Sequence, residues 1–345
     1  MIIIASIGVT TAAENDIRKI ILAGADVLRH NFSYYSIDKN FDYIDKVQKI
    51  VDDLNAHTKH LIDFPLNKVR LGDFNSKIFA VREGEEFIFQ SASYSPDCND
   101  FIPVQIPKLG DKLFVDQTIT LGDGEIAIQV AQILDSQSIR AKILNNGIIR
   151  YMKSFNIRHY QPPTAQILKQ YDEIFEKSSL FLPDFYAWSY INHEVNEQIK
   201  QLPGCTHRHT QAKTIIKIED QTGVDDIESI CQDRFYDLIL IDRGEMGVNM
   251  PYEKIGLYQK EIIKVAKKQN KPIIISTQIL DSAINNYIPS RADIQNLTEL
   301  ALENVDGIMF CQETVVGSRP AYPIHVSKKI VSAVENQRHQ KIELP

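Results

Sequence analysis

DLILIDRGEMGVNMPYEKIGLYQKEIIKVAKKQNKPIIIST, residues 237–277, reads as strand, helix, strand. Its two ends, 237–242 and 272–277, are short runs rich in isoleucine, a β-branched residue that packs well on a pleated surface. Between them, 253–269 sets Ile255, Tyr258, Ile262, Ile263 and Ala266 on one stripe and its lysines elsewhere, the period of a helix buried along one side. Asn270-Lys271-Pro272 then stops that helix before the next strand. Strands that are apolar throughout and alternate with such helices are parallel strands covered on both faces.

The same rhythm extends outward in both directions. Strand candidates are IIIASIG (2–8), DVLRHNF (26–32), HLIDF (60–64), LFLPDF (180–185), TIIKIE (214–219), DLILID (237–242), PIIIST (272–277) and GIMFC (307–311). Eight strands, nearly all followed by a helical pattern, predict an α/β fold of the (β/α)8 TIM barrel type. The rhythm breaks once, after the third strand, where KIFAV, EFIFQS, KLFVD, EIAIQV and SIRAKIL alternate with turn residues and predict antiparallel β structure. The expected organisation is therefore a barrel formed by 1–72 and 158–338, with a small β-barrel lid domain, 73–157, inserted after strand three. Such an insertion is expected over the C-terminal mouth. The tail QRHQKIELP is expected to fray.

Composition narrows the function. The 345 residues carry 38 Lys plus Arg against 45 Asp plus Glu, a formal charge of -7, which argues against a phosphate-backbone-binding surface and so against nucleic acid as partner. Four well-separated cysteines without a CxxC fit a reducing compartment. No apolar run approaches the ~18 residues of a membrane span, and MIIIASIG reads as a strand and not as a leader. A cytoplasmic protein with no membrane partner is expected.

Barrels keep their chemistry at the C-terminal ends of strands. Strand two ends in Arg29, Asn31 and Ser33, strand three in Asp63 with Lys68 and Arg70 beyond, and strand five in Lys217 and Glu219. Strand six ends in Asp242, Arg243, Gly244 and Glu245, and strand seven in Ser276 and Thr277. Lys217 and Glu219 lie two residues apart, so strand alternation points both to one face. Glu219 and Glu245 supply hard oxygens suited to a shared Mg2+. Lys217 and Arg29 suit phosphoryl or enolate charge, and DRGEMG offers backbone N–H groups in a turn. The blander alternative is a structural ion-pair network at the rim. In GCTHRHT, Cys205, His207 and His209 are soft-metal ligand types but fall in a loop before strand five, at the opposite face; Trp188 and Tyr190, expected after strand four, read as packing residues.

In this order the segments resemble the pyruvate kinase family. RHNFS resembles Arg-Leu-Asn-Phe-Ser, IIKIED resembles Lys-Ile-Glu-Asn, and IDRGEMGVNMP resembles Ala-Arg-Gly-Asp-Leu-Gly-Val-Glu-Ile-Pro. NKPIIISTQILDS resembles Gly-Lys-Pro-Val-Ile-Cys-Ala-Thr-Gln-Met-Leu-Glu-Ser, and QETVVG resembles Gly-Glu-Thr-Ala-Lys-Gly. The resemblance implies Mg2+- or Mn2+-dependent phosphoryl transfer between phosphoenolpyruvate, or a related enol phosphate, and a nucleotide such as ADP, with pyruvate and ATP as products. It implies that Arg29, Lys217 and Thr277 are catalytic and that Glu219 and Glu245 hold the metal. Arg243, Gly244 and Thr277 are implied for substrate, with the Glu245 backbone sharing its carboxylate, and Arg70 and Lys153 for the nucleotide. Asn31, Ser33, Asp63 and Lys68 would form the monovalent-cation pocket. A homodimer through the barrel is the implied assembly.

Departures from the family pattern carry their own expectations. DFPLNKVR stands for Asp-Thr-Lys-Gly-Pro-Glu-Ile-Arg, so Phe64 replaces a potassium-ligating Thr and Lys68 replaces Glu; potassium-independent members have Lys there, so no potassium requirement is expected. Glu245 replaces Asp, Tyr34-Tyr35 replaces His-Gly, and FVDQT and YMKSFNI replace lid segments, leaving Lys153 as the phosphate contact. The family's C-terminal effector domain is not expected in this chain. Two further readings remain open: a metal-dependent enolate lyase or aldolase acting on a pyruvate-like substrate, and a catalytically attenuated pyruvate kinase paralogue that acts as a binding protein.

Overall fold

The structure is a computed structural model that describes residues 1–8, 13–66, 68–158, 160, 163–208 and 212–342. Eight parallel strands close into a barrel: β1 (Ile2–Ile7), β2 (Val27–Asn31), β3 (Lys59–Asp63), β4 (Phe185–Ser189), β5 (Lys213–Ile218), β6 (Leu238–Asp242), β7 (Ile273–Ser276) and β8 (Gly307–Phe310). Each strand pairs with its neighbours in chain order, and β1 pairs with β8 to complete the ring. Alternate residues point inward, and Ile4, Val27, Leu61, Ala187, Ile215, Leu240, Ile274 and Met309 fill the interior as one apolar cluster. The other face of each strand packs under the helices, as the helix Ile255–Lys268 does with buried Ile262, Ile263 and Ala266.

The chain divides into two compact units. One is Met1–Leu66, Pro163–Met246 and Glu253–Pro345; the other is Asn67–Pro162 with Gly247–Tyr252. The second unit is built as a six-stranded sheet and two two-stranded ribbons, with Phe74, Phe89, Ile119, Ile128, Val130, Ile139 and Phe155 in its core. Its pairing is not wholly antiparallel, since Glu86–Ser91 runs parallel to Ile102–Val104.

Several local expectations are corrected. Strand four is not LFLPDF but FYAWS, 185–189, buried at every position. The earlier run cannot be a strand: Leu182 has φ 50°, Pro183 has no N–H to give a ladder, and Leu180 is 94% exposed. Trp188 therefore lies within strand four, 1% exposed. KLFVD is not a strand either; a 3-10 turn, Gly110–Lys112, leads into exposed Phe114 and Val115, and the strand begins at Thr118. The tail is helical through Ile342. GCTHRHT contributes to a short helix, Pro203–Arg208, in which burial pushes the Cys205 thiol up to about 12; a neutral thiol is a poor metal ligand, and His209 lies outside the described residues.

Between barrel and helices sits a buried histidine pair. His30 Nε2 and His60 Nδ1 share a hydrogen bond of 2.8 Å, while His30 Nδ1 and His60 Nε2 have no hydrogen-bond partner among the described residues. Burial, then the neighbouring His60, holds His30 well below its ordinary range. Burial brings His60 down to about 4 despite opposing Asp184 and Asp52. Between the unfolded value of about 6.5 and these depressed values the unfolded chain binds more protons than the folded one, so stability falls as pH falls through that window. The urea midpoint should drop from pH 6.5 towards 4, each histidine adding up to about 1.4 kcal/mol per pH unit. Replacing both by Leu should flatten the profile; an unchanged slope in the double variant would contradict this account.

Candidate active site

The polar residues gather because the apolar alternation of the strands changes character in the last inward layer. Register places Ser6 beside Arg29, Asn31 beside Asp63, Ser189 beside Lys217 and Asp242 beside Ser276. Paired residues share a face, so these side chains form a polar tier above the apolar interior at the C-terminal ends of the strands.

Asp63 is the hub of that tier. Its Oδ2 accepts from Arg29 Nε at 2.7 Å and lies 2.6 Å from Arg29 Nη2, while its Oδ1 lies 3.0 Å from Lys217 Nζ. Lys217 also reaches Glu219 Oε1 at 3.1 Å, and Arg29 Nη1 donates to Ser6 Oγ at 2.9 Å. All four charged groups are buried. Burial alone would raise the Asp63 carboxyl, but Lys217 and Arg29 outweigh it and hold the group below the usual carboxylate range. Burial would likewise lower Lys217, yet Asp63, Glu219 and Asp242 hold it well above the usual range, and Arg29 is raised in the same way. Both cations are therefore fixed positive charges at any working pH.

Glu219 behaves in the opposite sense. Burial pushes it up to about 7; Lys217 opposes, and the carboxylates of Glu245 and Asp242 add to the rise. A carboxylate raised by its carboxylate neighbours marks a donor set short of positive charge, and hard oxygens of this kind fit Mg2+ or Mn2+. Among the described residues no three His, Cys, Asp or Glu side chains form a complete cage. A cation held by Glu219 and Glu245 would take its remaining ligands from substrate and water.

At the end of β7 the backbone turns left-handed at Thr277 (φ 68°) and Gln278 (φ 53°), a conformation that costs a non-glycine residue about 1 kcal/mol or more. Two residues hold the turn. Arg243 donates from Nη2 to the carbonyls of Thr277 (2.6 Å) and Gln278 (3.0 Å), from Nε to those of Ser276 and Thr277, and from Nη1 to Asn296 Oδ1. Glu313 Oε1 accepts from the N–H groups of Ile279 and Leu280, and its Oε2 from that of Cys311. Arg243 was expected at the substrate; its guanidinium is committed to the turn that aims Thr277. Gly244 is needed beside that turn, because a Cβ there would lie 3.0 Å from Thr277 Cγ2 and 3.3 Å from Asp242 Oδ1.

The expected residues divide cleanly. Arg29, Asp63, Lys217, Glu219, Gly244, Glu245 and Thr277 belong to the barrel mouth, and Asn31, whose Oδ1 accepts from Ser33 N at 3.0 Å, stands beside Asp63. The Phe64 side chain has no oxygen to offer a cation: it is buried in an aromatic cluster, 4.7 Å from the ring centres of both Tyr171 and Phe175. Lys68, Arg70 and Lys153 belong to the second unit, where Arg70 Nη1 donates to the Met152 carbonyl and Lys153 pairs with Glu125 at 2.7 Å. Sequence reasoning gave no role to Ser6, Cys311 or Glu313. Strand parity marks the first two as mouth residues. Cys311, its thiol raised to about 12 by burial, lies 3.9 Å from Arg29 Nη1 and 3.8 Å from Thr277 Oγ1.

A (β/α)8 barrel with paired cations and paired carboxylates at its C-terminal mouth defines the general class, an α/β barrel with a buried, charged tier at the strand ends. The family description "Pyruvate kinase, barrel domain" matches residues 1–325, and the chain belongs to the pyruvate kinase family. It is 29% identical over 336 residues to pyruvate kinase of Thermococcus litoralis, covering 97% of this chain and 70% of that protein. Among solved structures, pyruvate kinase of Cryptosporidium parvum superimposes with a TM-score of 0.84 at 23% identity, over 97% of this chain and 70% of that one. A structure of Cryptosporidium parvum pyruvate kinase in complex with ADP superimposes with 0.83 at 24% identity, over 96% and 67%.

The Glu313 clamp yields a direct expectation. Glu313→Ala would leave three backbone N–H groups without their acceptor, at about 1–3 kcal/mol each for buried groups, so urea denaturation should register a loss on the order of 3 kcal/mol or more. Glu313→Gln keeps one carbonyl oxygen and should lose less; equal stability of Glu313→Ala and the parent would refute the clamp.

Proposed function

We propose that this chain transfers a phosphoryl group between an enol phosphate and a nucleoside diphosphate, using a divalent cation held by Glu219 and Glu245. The observation that carries this reading is the placement of Arg29 and Lys217 on the two oxygens of one buried carboxylate, Asp63. Phosphoryl transfer asks a protein for positioned positive charge more than for covalent chemistry. Two cations locked by a shared anion meet that need without reorganising during the reaction. Lys217 is held protonated, so its part is to stabilise phosphoryl oxygens and not to accept a proton. When bound, the cation neutralises charge on the substrate oxygens. The apolar interior beneath the tier keeps water from its floor, which strengthens each of these charges.

The nucleotide acceptor follows from family membership and from the ADP complex of the Cryptosporidium parvum enzyme, with Arg70 and Lys153 as its assigned phosphate contacts. Independence of potassium is part of the same proposal. Asp63 already has two protein cations, and the Phe64 side chain, packed in an aromatic cluster, brings no oxygen in place of a Thr hydroxyl.

Incubation with Mg2+, ADP and a saturating enol phosphate should produce ATP at the same rate in sodium as in potassium buffer. A many-fold rise with potassium would overturn the independence. Lys217→Met should lower the transfer rate by on the order of 10³ with an unchanged denaturation midpoint, and near-parental transfer would refute its role. Deuterium exchange into the methyl group of pyruvate with no ATP formed from any enol phosphate would instead favour an enolate lyase.

A further inference from the structure

The end of β6 contains an arrangement that the phosphoryl chemistry does not use. Asp242 Oδ1 accepts three hydrogen bonds: from Gly244 N at 3.1 Å, from Glu245 N at 3.4 Å and from Thr277 Oγ1 at 3.0 Å. These donors come from two different strand ends, and one of them rests on the left-handed turn that Arg243 and Glu313 hold in place. They are also the donors that the family resemblance allots to a substrate carboxylate. The family segment quoted above has alanine where this chain has Asp242, and alanine would leave all three donors open.

We propose that Asp242 sets the substrate class of this site by acting as a built-in carboxylate. It fills the donor set from within the protein, so the enol phosphate accepted here bears an uncharged group where phosphoenolpyruvate bears its carboxylate. This deepens the phosphotransfer reading and rests on it. Two physical effects act together. The donors are spent, so an incoming carboxylate would leave water without receiving hydrogen bonds in return. The mouth already holds Asp63, Glu219 and Glu245, and Asp242 adds a further negative charge facing the incoming one. Specificity then comes from rejecting a competitor as much as from binding the substrate. Arg29 and Lys217 make their hydrogen bonds and ion pairs to Asp63, Ser6 and Glu219, and Asp242 acts on them only as a nearby negative charge.

Two probes that differ only at this position test the idea: phosphoenolpyruvate, and isopropenyl phosphate, in which a methyl group replaces the carboxylate. Dissociation constants are measured by calorimetry with Mg2+ for the parent, Asp242→Ala and Asp242→Ser. The serine variant keeps a short oxygen to cap the turn if the alanine variant folds poorly. The parent should bind isopropenyl phosphate at least as tightly as phosphoenolpyruvate. Asp242→Ala should bind phosphoenolpyruvate at least tenfold more tightly than the parent, with little change for isopropenyl phosphate, and Asp242→Ser, which removes the charge but leaves an oxygen on the donors, should gain less. Tight phosphoenolpyruvate binding by the parent with no gain in either variant would overturn the role of Asp242, while ATP formation in that same protein would leave the phosphotransfer reading standing. Binding of neither probe by any form would overturn both.

Discussion

Everything at the barrel mouth depends on one carboxylate. Asp63 is 1% exposed, and removing any charge from water into such a place is expensive unless it is paired. It is paired twice, through Arg29 on one oxygen and Lys217 on the other. The two cations would repel one another without it, and Asp63 would be an uncompensated buried anion without them. The trio fixes the spacing between two positive charges at the ends of β2 and β5, and that spacing is the part of the molecule suited to a transferring phosphoryl group.

The barrel makes this arrangement affordable in structural terms. The apolar interior below the tier is contributed by the same strands at the preceding inward positions: Val27 below Arg29, Leu61 below Asp63, Ile215 below Lys217 and Leu240 below Asp242. Hydrophobic burial in the lower layers holds the strands in register, and the register sets which polar side chains meet at the top. The left-handed turn after β7 follows the same logic on a smaller scale. Its strain is local, and hydrogen bonds from Arg243 and to Glu313 over-determine it.

Much of this was legible in the sequence, and the reasons are physical. Eight short apolar runs alternating with striped helices leave few folds other than a closed parallel barrel, and period-two alternation shows that Lys217 and Glu219 share a face. Strand four was misplaced because LFLP is apolar while its backbone is not extended; hydropathy does not report the φ of Leu182 or the missing N–H of Pro183. KLFVD failed for the same kind of reason, with its apolar Phe114 and Val115 turned to solvent. Arg243 was assigned to substrate from its place in a motif, but the direction of its guanidinium is set by carbonyls in a turn 34 residues later in the chain. Glu313 depends likewise on N–H groups that converge only after β7 and β8 have paired. Contacts of that kind join positions far apart in sequence through backbone atoms, which residue identity does not encode.

The charge balance of the tier connects its parts. Arg29 and Lys217 face four carboxylates, Asp63, Glu219, Glu245 and Asp242, and burial, with Glu245 and Asp242 adding to it, is why Glu219 rises to about 7. A divalent cation between Glu219 and Glu245 would cancel a surplus of two. That would leave the cluster neutral before substrate arrives, and in the proposed reaction the phosphoryl group of the enol phosphate would then bring the negative charge that faces Arg29 and Lys217. A substrate with a further carboxylate would carry one more negative charge into a site whose remaining hydrogen-bond donors are already given to Asp242. The same reasoning explains why Asp242 is tolerated at all: three hydrogen bonds solvate its carboxylate within the fold, so its charge needs no cation of its own.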